Sequence, residues 1–234
     1  MKIKIAHLYY DLLNLYGEQG NILALKKAFD KQGVETKIDL LTIGDKFNLK
    51  KYDLCCLGAG SKENFLLVLE DIKKHQKNIK TAIDNDVYFI ATGGAHELFG
   101  KFVEINKQKY PALNIFDYYA KQNPKAIVGD SLMDFKGLDP IIGFQNRARI
   151  MKNDTNHLFK VLNGFADNFV AECEGYHQNN FIGTYLIGPL LIRNPHLTEY
   201  IVKNILASKK IKYYAVKDTY EHQAYEAYLK NFQG

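Results

Sequence analysis

The strongest constraint on the fold is a pair of short, almost wholly apolar runs, each ending in a glycine loop that leads into a helix. Asp53–Leu57 runs into Gly58-Ala59-Gly60-Ser61, and Val87–Ala91 runs into Thr92-Gly93-Gly94. A strand apolar on both faces has to be covered on both faces, as parallel strands inside a layered α/β sheet are. The flanking pattern agrees. Residues 2–9 read as a strand, 21–32 as an amphipathic helix with Ile22, Leu25 and Phe29 on one face, and Gly33 as its stop. A strand over 34–41, helices over 63–75 and 77–85, and a helix over Ala95–Lys101 complete the alternation. Strand-helix alternation of this kind predicts an α/β fold with a doubly wound, mostly parallel sheet. Ligands in such sheets bind beyond the carboxyl ends of the strands, where both glycine loops lie.

The second half is patterned differently. Short strands are expected near 113–119, 126–130, 141–145, 168–172 and 180–186, as partly antiparallel additions to the same sheet. Helices are expected over 195–208 and 218–231, the last presenting Tyr220, Ala224, Ala227 and Tyr228 along one side. With 234 residues and no repeat or low-complexity linker, the chain reads as one domain, 1–234.

Composition excludes several classes. Apolar residues make up 47% and charged residues 24%, a globular mix. No apolar run reaches 18 residues, so no membrane span is expected, and the N-terminus lacks a signal-peptide core; the expected location is cytoplasmic. Cys55, Cys56 and Cys173 are too few and too badly spaced for a zinc site or disulfide framework, and Cys55 and Cys56 read as inert core thiols. His157, His177, His196 and His222 are scattered without metal spacing, so no metal or cofactor is expected. The +5 formal charge is dispersed, and no nucleic-acid-binding motif appears.

Five segments carry a resemblance. Phe181–Pro189 contains Gly183-Thr184-Tyr185-Leu186-Ile187-Gly188-Pro189, which resembles the G-T-Y-L-H-G-P signature of class I glutamine amidotransferases of the cobyric-acid-synthase type. Gly58-Ala59-Gly60-Ser61 resembles that family's G-G-G-S oxyanion loop. Ala91–Gly100 resembles its C-G-G-Y-Q-x-L-G nucleophile elbow. Asn14–Leu25 is similar to the N-L-Y-x-x-x-G-N-x-x-A-L segment of one subfamily, the small glutaminase subunits of lipid II isoglutaminyl synthases. Ile142–Asn146 resembles that subfamily's G-F-E-N-H, with Arg147 in place of the histidine. The resemblance implies a flavodoxin-like class I amidotransferase fold and a larger Mur-ligase-like partner subunit.

The departures fall on the chemistry. In the family a cysteine at the elbow attacks, a distant histidine is its base, and backbone N–H groups hold the oxyanion. Here the base position holds Ile187, which cannot transfer a proton. The nucleophile position falls on Gly93 when Gly100 is matched, or on Thr92 when shifted by one. Glu97 stands where the family has glutamine. A family arginine upstream of Gly129-Asp130 falls on Ala126, with Lys125 adjacent.

The resemblance therefore implies a degenerate amidotransferase subunit, with no intact catalytic residue and a remnant ligand pocket of Gly58, Ala59, Gly60, Ser61, Gly94, His96, Glu97 and Asn146. Two other readings stay open. One is rewired chemistry around Thr92, His96, Glu97 or Lys62, with His96 four residues on from Thr92 and able to face it across one helical turn. The other is a sensor that binds a small carboxylate or amino acid on the oxyanion loop.

Overall fold

A computed structural model describes residues 2–216 and 219–232. The first half alternates as the sequence predicts: β1 (Lys2–Leu8), α1 (Gln19–Lys31), β2 (Glu35–Leu41), β3 (Leu54–Leu57), α2 (Lys62–Ile72), α3 (Gln76–Asp84) and β4 (Tyr88–Thr92). β3 is buried along its whole length, as its apolar run requires. The Ser61 hydroxyl caps α2 by accepting the Asn64 N–H, and α1 ends before Gly33, whose φ of +70° suits the left-handed turn there.

The segment after β4 departs from expectation. Gly93–Phe99 is a 3₁₀ helix, not an α-helix over Ala95–Lys101. The second half contains β5 (Phe102–Ile105), β6 (Gln108–Pro111), β7 (Tyr119–Asp134), β8 (Ile141–Lys152), β9 (His157–Asn163), β10 (Cys173–Gln178) and β11 (Phe181–Thr184). The expected strands at 113–119 and 168–172 are therefore largely loop. β7 and β8 form a ribbon far longer than the sequence suggested, broken by a register shift between Gln122 and Ile127. Pro124 and the exposed Lys125 and Ala126 lie in that irregularity, and the expected strand at 126–130 is only the middle of β7. The chain closes with α4 (Leu190–Arg193), α5 (Pro195–Ser208) and α6 (Tyr220–Leu229). Residue 218, the expected start of the last helix, and the outermost residues of the expected 1–234 domain lie outside the described residues.

All of these strands join one sheet, ordered β2-β1-β3-β4-β11-β10-β9-β7-β5-β6, with β8 paired to β7. β2, β1, β3, β4 and β11 are mutually parallel. The pairs β11–β10, β10–β9, β9–β7 and β7–β8 are antiparallel. Phe65, Leu69 and Ile72 of α2 and Ile79 and Ile83 of α3 pack in one apolar layer. Ile22, Leu25 and Phe29 of α1 pack with Ile201, Val202 and Ile205 of α5 in the other. Cys55 and Cys56 are buried free thiols, and burial pushes both thiols up.

Two tertiary clamps hold the border of β8 and the start of α1. The Asn194 amide, fully buried, accepts the Ile142 N–H (2.8 Å) and donates to the Ile142 carbonyl (2.7 Å), and the Ile187 N–H reaches the Phe144 carbonyl (2.9 Å). Both lie along the edge of β8 away from β7. The α1 start is packed against the chain after β11: the Asn21 Oδ1 accepts the Leu191 N–H, and Gly20 leaves no room for a Cβ beside Pro189. In α6 the buried residue is Tyr225, whose hydroxyl donates to the Pro140 carbonyl, while Tyr220, expected on the packed side, is 87% exposed.

Candidate functional site

Strand order reverses between β1 and β3, and the loops beyond those two strands and β4 converge there. They enclose a cavity of about 150 Å³ with β8 and the chain after β11. The β1 loop begins at Tyr9, which holds a left-handed φ of 52° with its ring buried and its hydroxyl on Asp71 (3.0 Å). It then folds back so that the Glu18 carboxylate accepts N–H groups from Tyr16 (2.9 Å) and from Ala59 (3.1 Å). Glu18 thereby fixes the Gly58–Ser61 loop, and burial pushes its carboxyl up. One N–H of that loop already has an internal carboxylate for a partner.

The β4 elbow turns at Gly93. Thr92 is extended, with φ −106° and ψ 154°, and Gly93 then takes φ +60°. A Cβ on Gly93 would lie 2.6 Å from the Ala59 Cβ and 2.9 Å from the Ile187 Cγ2. Both conformation and packing therefore hold glycine at this position. Ala59, Gly93 and Ile187 meet as an apolar floor.

The polar wall is built on β8, whose alternation puts Arg147 and Arg149 on one face. Glu97 is buried, with one carboxylate oxygen on the Arg149 Nε (2.5 Å) and the other on the Tyr185 hydroxyl (2.8 Å). Burial, reinforced by Glu97, pushes the Tyr185 phenol well up. Arg147 lies over the Tyr185 ring with its Cζ 4.0 Å from the ring centre. Its donors go to the Gln145 Oε1 and to the carbonyls of Arg149, Asp167 and Ala166, so it braces the ribbon against the 165–167 loop. Behind Tyr185, the buried Glu174 accepts the Thr184 hydroxyl (2.7 Å) and the Tyr185 N–H (2.6 Å), and desolvation pushes its carboxyl up to about 7.

Of the residues singled out in the sequence, Ala59, Gly60, Ser61, Lys62, Gly93, Gly94, Glu97, Asn146, Arg147 and Ile187 line this one cavity. Gly58, Thr92 and His96 do not. Gly58 faces Leu13 and Glu18. Thr92 is buried with its hydroxyl toward the Leu57 carbonyl (3.5 Å). His96, also buried, does not face Thr92, because the 3₁₀ path turns its Nδ1–H onto the Gly93 carbonyl (2.7 Å). Desolvation lowers the imidazole to about 3, so it stays neutral. Lys125 and Ala126 lie in the β7 irregularity, away from the cavity. Sequence reasoning missed Tyr16, Phe65, Arg149 and Tyr185 in the lining. Arg149 was legible in principle: an Arg-x-Arg spacing on a strand carried past residue 145 puts both cations on one side.

Among the described residues there is no cluster of three or more His, Cys, Asp or Glu able to hold a metal, and no helix is long and apolar enough to cross a membrane.

Known proteins share this fold. A crystal structure of a glutamine amidotransferase superposes with a TM-score of 0.55 at 13% identity, covering 86% of this chain and 98% of its own. The glutaminase domain of Trypanosoma brucei CTPS with bound acivicin gives 0.51 at 11% identity, covering 94% and 98%. Both likenesses show the fold. Two curated relatives are lipid II isoglutaminyl synthase (glutamine-hydrolyzing) subunits GatD. The Streptococcus pneumoniae subunit is 30% identical over 89% of this chain and 82% of its own. The Staphylococcus aureus subunit is 26% identical over 91% and 88%. The profile of the CobB/CobQ-like glutamine amidotransferase domain matches residues 4–195, and it is to this family that the chain belongs.

Proposed function

We propose that this chain is the amidotransferase-like subunit of a lipid II-amidating ligase assembly, and that it does not itself hydrolyse glutamine. One observation carries the second clause. The turn after β4 takes a left-handed φ that would strain any side-chain-bearing residue at its apex; that apex is Gly93, and the space a cysteine side chain would enter is filled by Ala59 and Ile187. Ile187, at the family's base position, presents only carbon to the cavity. Thr92 and His96, bonded to main-chain carbonyls outside the cavity, offer no substitute pair of nucleophile and base. The family resemblance and the relatives' names support a subunit role, with a larger Mur-ligase-like protein as partner and ammonia reaching that ligase from solution.

The test has two parts. The purified chain, alone and with a co-expressed ligase-like partner, is assayed for glutamate release from glutamine; turnover above about 0.1 s⁻¹ overturns the reading. Size-exclusion chromatography of the co-expressed pair is expected to show one complex burying about 1,200–2,000 Å². Tyr225 and Tyr228 are poor candidates for its contacts, since their hydroxyls are taken by the Pro140 carbonyl and Asp130. Likewise, the packing of Gly20 and Asn21 against Pro189 and Leu191 accounts for much of the Asn14–Leu25 motif without a partner.

A further inference from the structure

The cavity beside Gly93 keeps a charge that an apolar remnant would not need. Lys62, Arg147 and Arg149 line it against the single carboxylate of Glu97, an excess of two positive charges. Arg147 is committed to carbonyls and to Gln145. Arg149 is not. Only its Nε is engaged, by Glu97, and among the described residues neither terminal nitrogen has a hydrogen-bond partner. Its Cζ lies over the Phe65 ring, 5.0 Å from the ring centre, and its Nη2 lies 3.1 Å from where a Cβ on Gly94 would be. The Glu97 bond and the aromatic face fix the fork's orientation, and the glycine admits it to the main chain. Lys62, half exposed at the first turn of α2, has only a long 3.9 Å contact with Glu63.

We propose that this cavity is a receptor for a small dicarboxylate, one carboxylate held end-on by the two free nitrogens of Arg149 and the other near the Lys62 ammonium. A preorganised guanidinium edge matches a planar carboxylate through two parallel N–H···O bonds. The Glu97 carboxylate leaves the two terminal nitrogens of Arg149 unclaimed, because its oxygens go to the Tyr185 hydroxyl and the Arg149 Nε. The volume of about 150 Å³ is below the usual range for drug-sized ligands and fits a short chain. This assignment is independent of the glutaminase reading: it requires neither turnover nor a partner, and it stands or falls in the isolated chain.

Titration calorimetry on the purified chain at low ionic strength tests it, with glutarate as probe and glutaramide as its uncharged counterpart. Glutarate is expected to bind with a Kd below about 1 mM and glutaramide at least about tenfold more weakly. Lys62→Gln, at an exposed side chain, is expected to leave the melting temperature of the free protein unchanged and to weaken glutarate about tenfold or more. Arg149→Lys keeps the charge but loses the fork, and is expected to weaken binding by at least as much. No heat with 10 mM glutarate (about ten times that Kd), equal binding of glutaramide, or full affinity in both variants overturns the proposal. Tighter binding of inorganic phosphate than of glutarate overturns the carboxylate assignment.

Discussion

Gly93→Cys is the most informative single change, because it restores the atom the family's chemistry needs at the place the structure resists it most. Two penalties combine. A side chain at φ +60° costs roughly 1–2 kcal/mol relative to glycine. The new Cβ would also sit 2.6 Å from the Ala59 Cβ and 2.9 Å from the Ile187 Cγ2, and neither atom is the far end of a flexible chain. Overpacking of this kind costs about 1–3 kcal/mol. A total loss of about 2–5 kcal/mol in a chain of this size lowers the melting temperature by roughly 5–15 °C. The steric part is separable. In Ala59→Gly/Gly93→Cys the shorter contact is gone, while the φ penalty and the Ile187 contact remain. A double-mutant cycle from urea denaturation is therefore expected to show a favourable coupling of about 1–2 kcal/mol between positions 59 and 93. If Gly93→Cys melts within 2 °C of the parent (under about 1 kcal/mol), or if the two changes are additive, the elbow is not filled as described.

Other outcomes are measurable. Gly93→Cys alone is expected to release no glutamate, and Ala59→Gly/Gly93→Cys/Ile187→His to exceed it, since only the latter has room for the thiol and a base; equal steady-state rates refute the role of position 187. Burial keeps the proton on Glu174 up to about pH 7, whereas the unfolded chain releases it near 4.5. The folded state thus binds more protons between these values, and the Glu174 contribution to stability is complete below about pH 4.5 and lost as pH rises to about 7. The stability difference between the parent and Glu174→Gln, followed by urea denaturation, is expected to shrink across that window; a difference that grows with pH refutes it. Tyr225→Phe removes the bond to the Pro140 carbonyl and is expected to cost about 1 kcal/mol in the same assay, with no effect if α6 is not docked as described.

The legible part of this fold is the part whose signals are local. Buried parallel strands declare themselves as apolar runs, and Gly33, Ser61 and the glycine loops mark where helices stop and start. The ribbon was less readable because its twist and irregularity are relieved by partners far along the chain. The sequence marked only 126–130 of this stretch as strand, and the pairing with β8 is what makes residues 119–134 one element. The same difference separates the residues of the site. Gly93 and Ile187 were found because they interrupt motifs, and the structure shows that they touch. His96 was misplaced because the expectation assumed an α-helical turn, whereas the 3₁₀ path aims its ring at the Gly93 carbonyl. The Arg-x-Arg spacing could have put Arg149 beside Arg147, but its pairing with Glu97, and that of Tyr185, is tertiary and no spacing along the chain encodes it.

The Asn194 clamp on Ile142 has a consequence for association. The outer border of β8 offers a row of main-chain donors and acceptors that another chain could template upon. Asn194 presents one donor and one acceptor, as a residue of a neighbouring strand would, and so acts as a one-residue plug on that border. An aspartate there would retain the acceptor and set a carboxylate against the Ile142 carbonyl, unsealing the border without changing side-chain size. Together with the Ile187 N–H on the Phe144 carbonyl, a side chain from the residue before α5 thus closes the ribbon's border at Ile142, so that a substitution at the start of a helix would surface as an unpaired strand edge.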